Sequence, residues 1–112
     1  MVRPFDRCEA DFFGDLAGDM HGLWEVFEFV RLHHPDLSEE QVFERGRDYI
    51  TRWIDSGWIR VSDAPLHPSS VSDSAGLLGF LRKHGSAATR YLEDSPSIDI
   101  TEEAQRAYHA TI

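Results

Sequence analysis

The chain has 112 residues, 41% apolar and 12% aromatic, and its 20 acidic against 11 basic side chains give a formal net charge of -9. These totals supply enough apolar surface for one packed domain, residues 1–112, and exclude wholesale disorder. They also disfavour nucleic acid as a partner, because Lys and Arg must neutralise phosphates and only Lys83 and ten arginines are present.

Cys8 is the one cysteine, so no internal disulfide can form, and the composition favours a reducing, cytoplasmic setting. The opening MVRPFDRCEADFF lacks the apolar core of a secretory signal, and no stretch approaches the roughly 18 apolar residues of a membrane span. A soluble, unexported protein without membrane association is therefore expected.

Up to about Gly18, Asp6, Glu9, Asp11 and Asp15 are scattered among Phe5, Phe12 and Phe13 without clean period, which reads as an N-terminal arm (residues 1–18) docked by its phenylalanines onto a core of residues 19–112. Asp19 is a candidate N-cap for a helix from His21 through Leu32. Apolar residues surround much of it, so it is expected to be the most buried element. Pro35 disfavours helical geometry at His34 and ends it.

The longest periodic pattern follows. Ser38 is a good N-cap, Gln41 completes a capping box, and Leu37 and Val42 hold the staple positions. Val42, Phe43, Gly46, Tyr49, Ile50, Trp53 and Ile54 recur at spacings of three and four, which predicts one continuous amphipathic helix from Ser38 to Asp55. Gly57 stands where a left-handed cap would sit, and Trp58, Ile59 and Val61 have the character of a strand.

Two prolines and two serines between Asp63 and Ser70 mark a surface loop. Ser72 or Asp73 can cap a helix carrying Leu77, Leu78, Phe80 and Leu81, closed by Gly85, and Ser86 can cap a further turn or two ending before Pro96. Ile98 and Ile100 alternate as in a half-buried strand, with Trp58 to Val61 as the natural antiparallel partner. Thr101 then caps a last helix with Glu102 and Glu103 at its positive end.

This order, in which a long helix runs through Gly57, Trp58, Ile59, Arg60 and Val61 into a strand and IDITEEAQRAY returns as strand and helix, resembles the winged-helix fold over about Asp19 to His109. The resemblance implies an α+β, mainly helical fold with helices packed on a small antiparallel hairpin or sheet. It also implies DNA recognition by the central helix as an alternative function, with Arg45, Arg47 and Arg52 as the DNA-binding residues. In DNA-binding members a separate short helix and tight turn precede the recognition helix, whereas here one long pattern fills that space, and residues 62–97 exceed a simple wing. In size and charge alone the chain is similar to immunity proteins that neutralise basic toxins.

Glu40, Glu44 and Asp48 form a row of like charge at i, i+4 and i+8, and each neighbouring pair costs a few tenths of a kcal/mol, roughly, in an isolated helix. A solvated face offset by Arg47 and Arg52 accounts for the row, Asp48 to Arg52 being a favourable i, i+4 pair; the sharper reading is a ridge for a protein with a basic surface. His33, His34 and Asp36 around Pro35 match no metal-binding spacing, and no cofactor motif is present. Cys8 has no histidine near it in sequence and neither Ser56 nor Ser86 lies in a nucleophile elbow, so no enzymatic activity is expected. The expectation is a protein-binding module, tested against an enzyme by whether a histidine and a carboxylate meet in one pocket.

Overall fold

In the computed structural model, residues 6–16, 21–62 and 71–111 are described. The first helix, α1 (Arg7–Leu16), replaces the aperiodic arm expected there. Asp6 and Glu9 form a reciprocal capping box, each backbone N–H donating to the other's carboxylate at 2.9 Å. Cys8, Glu9, Phe12 and Phe13 then occupy adjacent i, i+4 rows and are all buried, so Phe12 and Phe13 belong to the core, while Phe5 lies outside the described residues.

Asp19 lies outside the described residues. The helix expected from His21 begins four residues later, as α2 (Glu25–His33), because His21 and Gly22 form a short strand, β1. The Glu25 carboxylate accepts from the Gly22 N–H at 2.7 Å, and Leu23 donates to the Pro96 carbonyl at 2.8 Å, which holds the backbone at the sheet before the helix begins. Burial follows one stripe, Val26, Phe27 and Val30, while Leu32 is 71% exposed; α2 is amphipathic and not buried all round. It stops at His33, two residues before Pro35.

The central helix, α3 (Glu39–Asp55), is continuous. Ser38 accepts from the Gln41 N–H at 3.2 Å, and the Gln41 side chain accepts from the Ser38 N–H at 2.9 Å. Val42, Gly46, Tyr49, Ile50 and Trp53 are buried. Gly46 is where α2 crosses: a β-carbon there would stand 2.3 Å from the Phe27 ring. At the other end Gly57 takes φ 70°, while Trp58 N–H donates to the Trp53 carbonyl at 2.8 Å and Gly57 N–H to that of Ile54 at 3.0 Å. This is the Schellman arrangement, which needs the left-handed conformation glycine adopts without a β-carbon clash.

Beyond this corner runs β2 (Ile59–Val61). After the expected loop, which falls outside the described residues, come α4 (Ser74–His84), capped by Asp73 through the Gly76 N–H at 2.8 Å, and a 3-10 turn over Gly85–Thr89 in place of a helix started by Ser86. β3 (Ser97–Ile100) pairs antiparallel with β2, Ile59 opposite Ile100, Arg60 opposite Asp99 and Val61 opposite Ile98. Its other edge pairs with β1, His21 opposite Ile98, giving a three-stranded sheet in the order β1-β3-β2. Thr101 Oγ1 accepts from the Ala104 N–H at 3.2 Å to cap α5 (Glu102–Thr111), and donates to the Gly57 carbonyl at 2.6 Å. One residue thus ties the last helix to the helix–strand corner. The protein is α+β and mainly helical, and no helix among the described residues is long and apolar enough to cross a membrane.

Candidate functional site

The two sides of α3 carry carboxylates in opposite circumstances. On its inner side the Trp53 ring, 1% exposed, stacks on Phe12 at 5.2 Å between centroids and on Tyr49 at 5.6 Å, with Phe13 edge-on at 4.9 Å. An indole so enclosed needs an acceptor, and Trp53 Nε1 donates to Glu9 Oε2 at 2.6 Å. Glu9 is itself fully buried; its other oxygen accepts from Asp6 N–H and lies 3.3 Å from Arg52 Nη2. Burial pushes the Glu9 carboxyl above its ordinary range, against the opposing pull of the Asp6 and Trp53 hydrogen bonds and the Arg52 charge. Next to it Tyr49 donates to Asp6 Oδ2 at 2.6 Å, and burial and that hydrogen bond raise the phenol. The Cys8 thiol is pushed up to about 12, first by burial and then by the Asp6 charge, so it is not a nucleophile at neutral pH.

Sequence reasoning missed this cluster. Its signals were present: Asp6-x-x-Glu9 is a capping-box spacing, and a carboxylate in a row with Cys8, Phe12 and Phe13 marks a buried polar group in search of a donor.

On the outer side Glu40, Glu44 and Asp48 are all exposed, one turn apart, and none has an ion-pair partner among the described residues. The offset expected from Asp48 to Arg52 is not made: Arg52 turns to Glu9 and lies over the Trp58 ring at 5.8 Å. Arg45 approaches His34 Nε2 at 3.4 Å, and Arg47 lies over the Phe43 ring at 5.5 Å. Arg60 pairs with Asp99 across the sheet at 3.5 Å, and Arg82 lies with Arg47 in the groove between α3 and α4. Arg47 and Arg82 thus share the groove on the α4 side of α3, while Arg45 lines a cleft with Glu44 and Asp48 without forming an ion pair with either.

Several of the described histidines are engaged in local contacts. His33 Nε2 lies 2.9 Å from Asp11 Oδ2 and His21 Nδ1 lies 3.1 Å from Glu25 Oε1, so His33, His34 and Asp36 do not converge, and no group of three or more metal-ligating side chains occurs among the described residues. A histidine and a carboxylate line the same cleft in two places: His84 and Asp94 beside Lys83, whose approach of 3.9 Å exceeds a hydrogen bond, and His33 and His34 with Asp6 beside Cys8. Elsewhere Glu39 receives Arg31 at 2.8 Å and Arg90 at 3.3 Å, and the Arg31 hydrogen bond holds its carboxyl below the usual range.

The fold and these surfaces define a mainly helical α+β protein with an acidic outward helix face. Comparison with family models, with characterised proteins and with solved structures finds no match.

Proposed function

We propose that the chain is a small acidic, cytoplasmic protein-binding module on a winged-helix-like scaffold. Glu40, Glu44 and Asp48 on the outer face of α3 capture a protein with a basic surface, as an immunity protein or inhibitor would. The observation that carries this reading is the row of exposed carboxylates that form no ion pair among the described residues, with Arg52, the nearest favourable partner by spacing, drawn to Glu9 instead. Like charges one turn apart do not stabilise a helix, so an external cation is the partner they suit. The net charge of -9 would steer such a partner in at long range. No enzymatic role is part of this reading.

The scaffold is supported by the element order α1-β1-α2-α3-β2-β3 and the sheet order β1-β3-β2, with α4 and the 3-10 turn between β2 and β3, where a winged helix has its wing. The same order supports one second reading, a DNA-binding regulator, in which α3 would serve as the recognition helix with Arg45, Arg47 and Arg52 as its contacts. The acidic outward row opposes phosphate approach and ranks that reading below the first.

The test is affinity capture from the native host by the full chain and by a Glu40→Lys, Glu44→Lys variant, at low and raised ionic strength, with duplex DNA binding measured in parallel by fluorescence anisotropy. The proposal predicts a basic protein that is retained by the wild type and lost on charge reversal or added salt. Identical retention by both chains removes the acidic row from the account. Duplex binding that is abolished by Arg45→Gln, Arg47→Gln and Arg52→Gln together establishes the second reading instead.

A further inference from the structure

The groove between α3 and α4 is a cavity of about 400 Å³, within the range of small-ligand sites. Phe43, Leu78 and Leu81 form its floor, and Arg47 and Arg82 stand at its rim. Both arginines are exposed, and neither has a carboxylate partner among the described residues, in a chain whose carboxylates engage Arg31, Arg52, Arg60, Arg90 and Arg106. Arg7, Arg45 and Lys83 likewise form no ion pair among the described residues, but this groove sets two such cations together beside apolar side chains, with no carboxylate in its lining.

From this pairing we infer that the groove binds a small organic carboxylate with an aromatic or branched hydrocarbon body. The body lies on Phe43, Leu78 and Leu81, and the carboxylate meets Arg47 and Arg82. Arg47 is already drawn over the Phe43 ring, with its Cζ 5.5 Å from the ring centroid, which places a planar donor fork at the edge of the apolar surface where a bidentate carboxylate would sit. The remaining polar side chain in the lining, Thr51, donates its hydroxyl to the Arg47 carbonyl at 2.9 Å. A sugar or polyol would therefore find few donors for its hydroxyls, whereas an amphipathic acid needs only the two arginines. This site is separate from the acidic row and does not depend on the partner proposed for it.

The test is a proton–nitrogen NMR titration of the full chain with benzoate, 1-naphthoate and 4-phenylbutyrate, each compared with its uncharged amide. At least one acid is expected to shift the backbone amides of Thr51, Leu78, Leu81 and Gly85 saturably, and its amide to bind at least about tenfold more weakly, as loss of charge-assisted hydrogen bonds requires. Arg47→Gln with Arg82→Gln should weaken the acid by a similar factor, while Arg45→Gln, outside the groove, leaves it unchanged; circular dichroism confirms that each variant is folded. Absence of shifts at these amides for all three acids at millimolar concentration overturns the inference. So does equal binding of acid and amide, or binding indifferent to the two arginine substitutions.

Discussion

Helix α3 meets carboxylates on both of its sides, and the two sets differ in everything but chemistry. Glu9, reaching it from α1, is fully buried and satisfied by Trp53, by the Asp6 backbone and by Arg52. Glu40, Glu44 and Asp48, on its own outer face, are exposed and unpaired among the described residues. A carboxylate withdrawn from water persists only where donors replace the solvent, so Glu9 belongs to the fold and its removal is felt as lost structure. A carboxylate left in water contributes little to stability, and a row of them with no internal partner is available for something outside the chain.

That contrast can be broken most forcefully at the shared aromatic centre. Trp53→Ala removes both the ring between Phe12 and Tyr49 and the donor to Glu9, and should cost about 3–5 kcal/mol in urea denaturation. Gly46→Val pushes a side chain into the buried Phe27 ring and should cost about 1–3 kcal/mol by overpacking the α2–α3 crossing. Gly57→Ala, at φ 70° with open space around it, keeps its packing and should lose only about 1–2 kcal/mol from the left-handed backbone. Smaller still is the effect of Glu40→Lys with Glu44→Lys, which should leave the unfolding free energy within about 0.5 kcal/mol of wild type, because both side chains are exposed and neither forms an ion pair among the described residues.

The two sets should also part in their response to pH. Burial raises the Glu9 carboxyl above its ordinary 4.5, so the folded state holds that proton more tightly than the unfolded chain does. Its contribution to stability is then fully present below pH 4.5 and is lost as pH rises through the raised folded value. Glu9→Gln keeps an acceptor for Trp53 without a titrating group. Stability curves at several pH values should therefore show the variant gaining on wild type as pH increases, and parallel curves would remove burial as the dominant influence on Glu9.

The residues that announced themselves in the sequence did so through local rules. Ser38 and Gln41 mark the start of α3 and Gly57 its end, because capping and the left-handed turn depend on neighbours three to five residues away. Asp73 and Thr101 began their helices for the same reason, and the alternation of Ile98 and Ile100 found its partner in β2. What stayed hidden depended on distant groups. Nothing local makes His21 and Gly22 a strand; β3, 77 residues later in the chain (His21 to Ile98), does so by pairing with them. Likewise Glu9 counts as one more scattered acid until Trp53 arrives from α3 to donate to it, and α1 went unread although Asp6 and Glu9 spelled its cap. Exposure of Glu40, Glu44 and Asp48 followed directly from helical period, but the diversion of Arg52 to Glu9 did not, since it is set by the packing of α1.

A paired urea titration of Glu9→Ala and Glu44→Ala tests most directly whether the inner carboxylate holds the fold while the outer ones are free. The account predicts a loss of about 2–4 kcal/mol for Glu9→Ala, from the emptied space and the orphaned Trp53 donor, and a change within about 0.5 kcal/mol for Glu44→Ala. Equal effects for the two substitutions would contradict it.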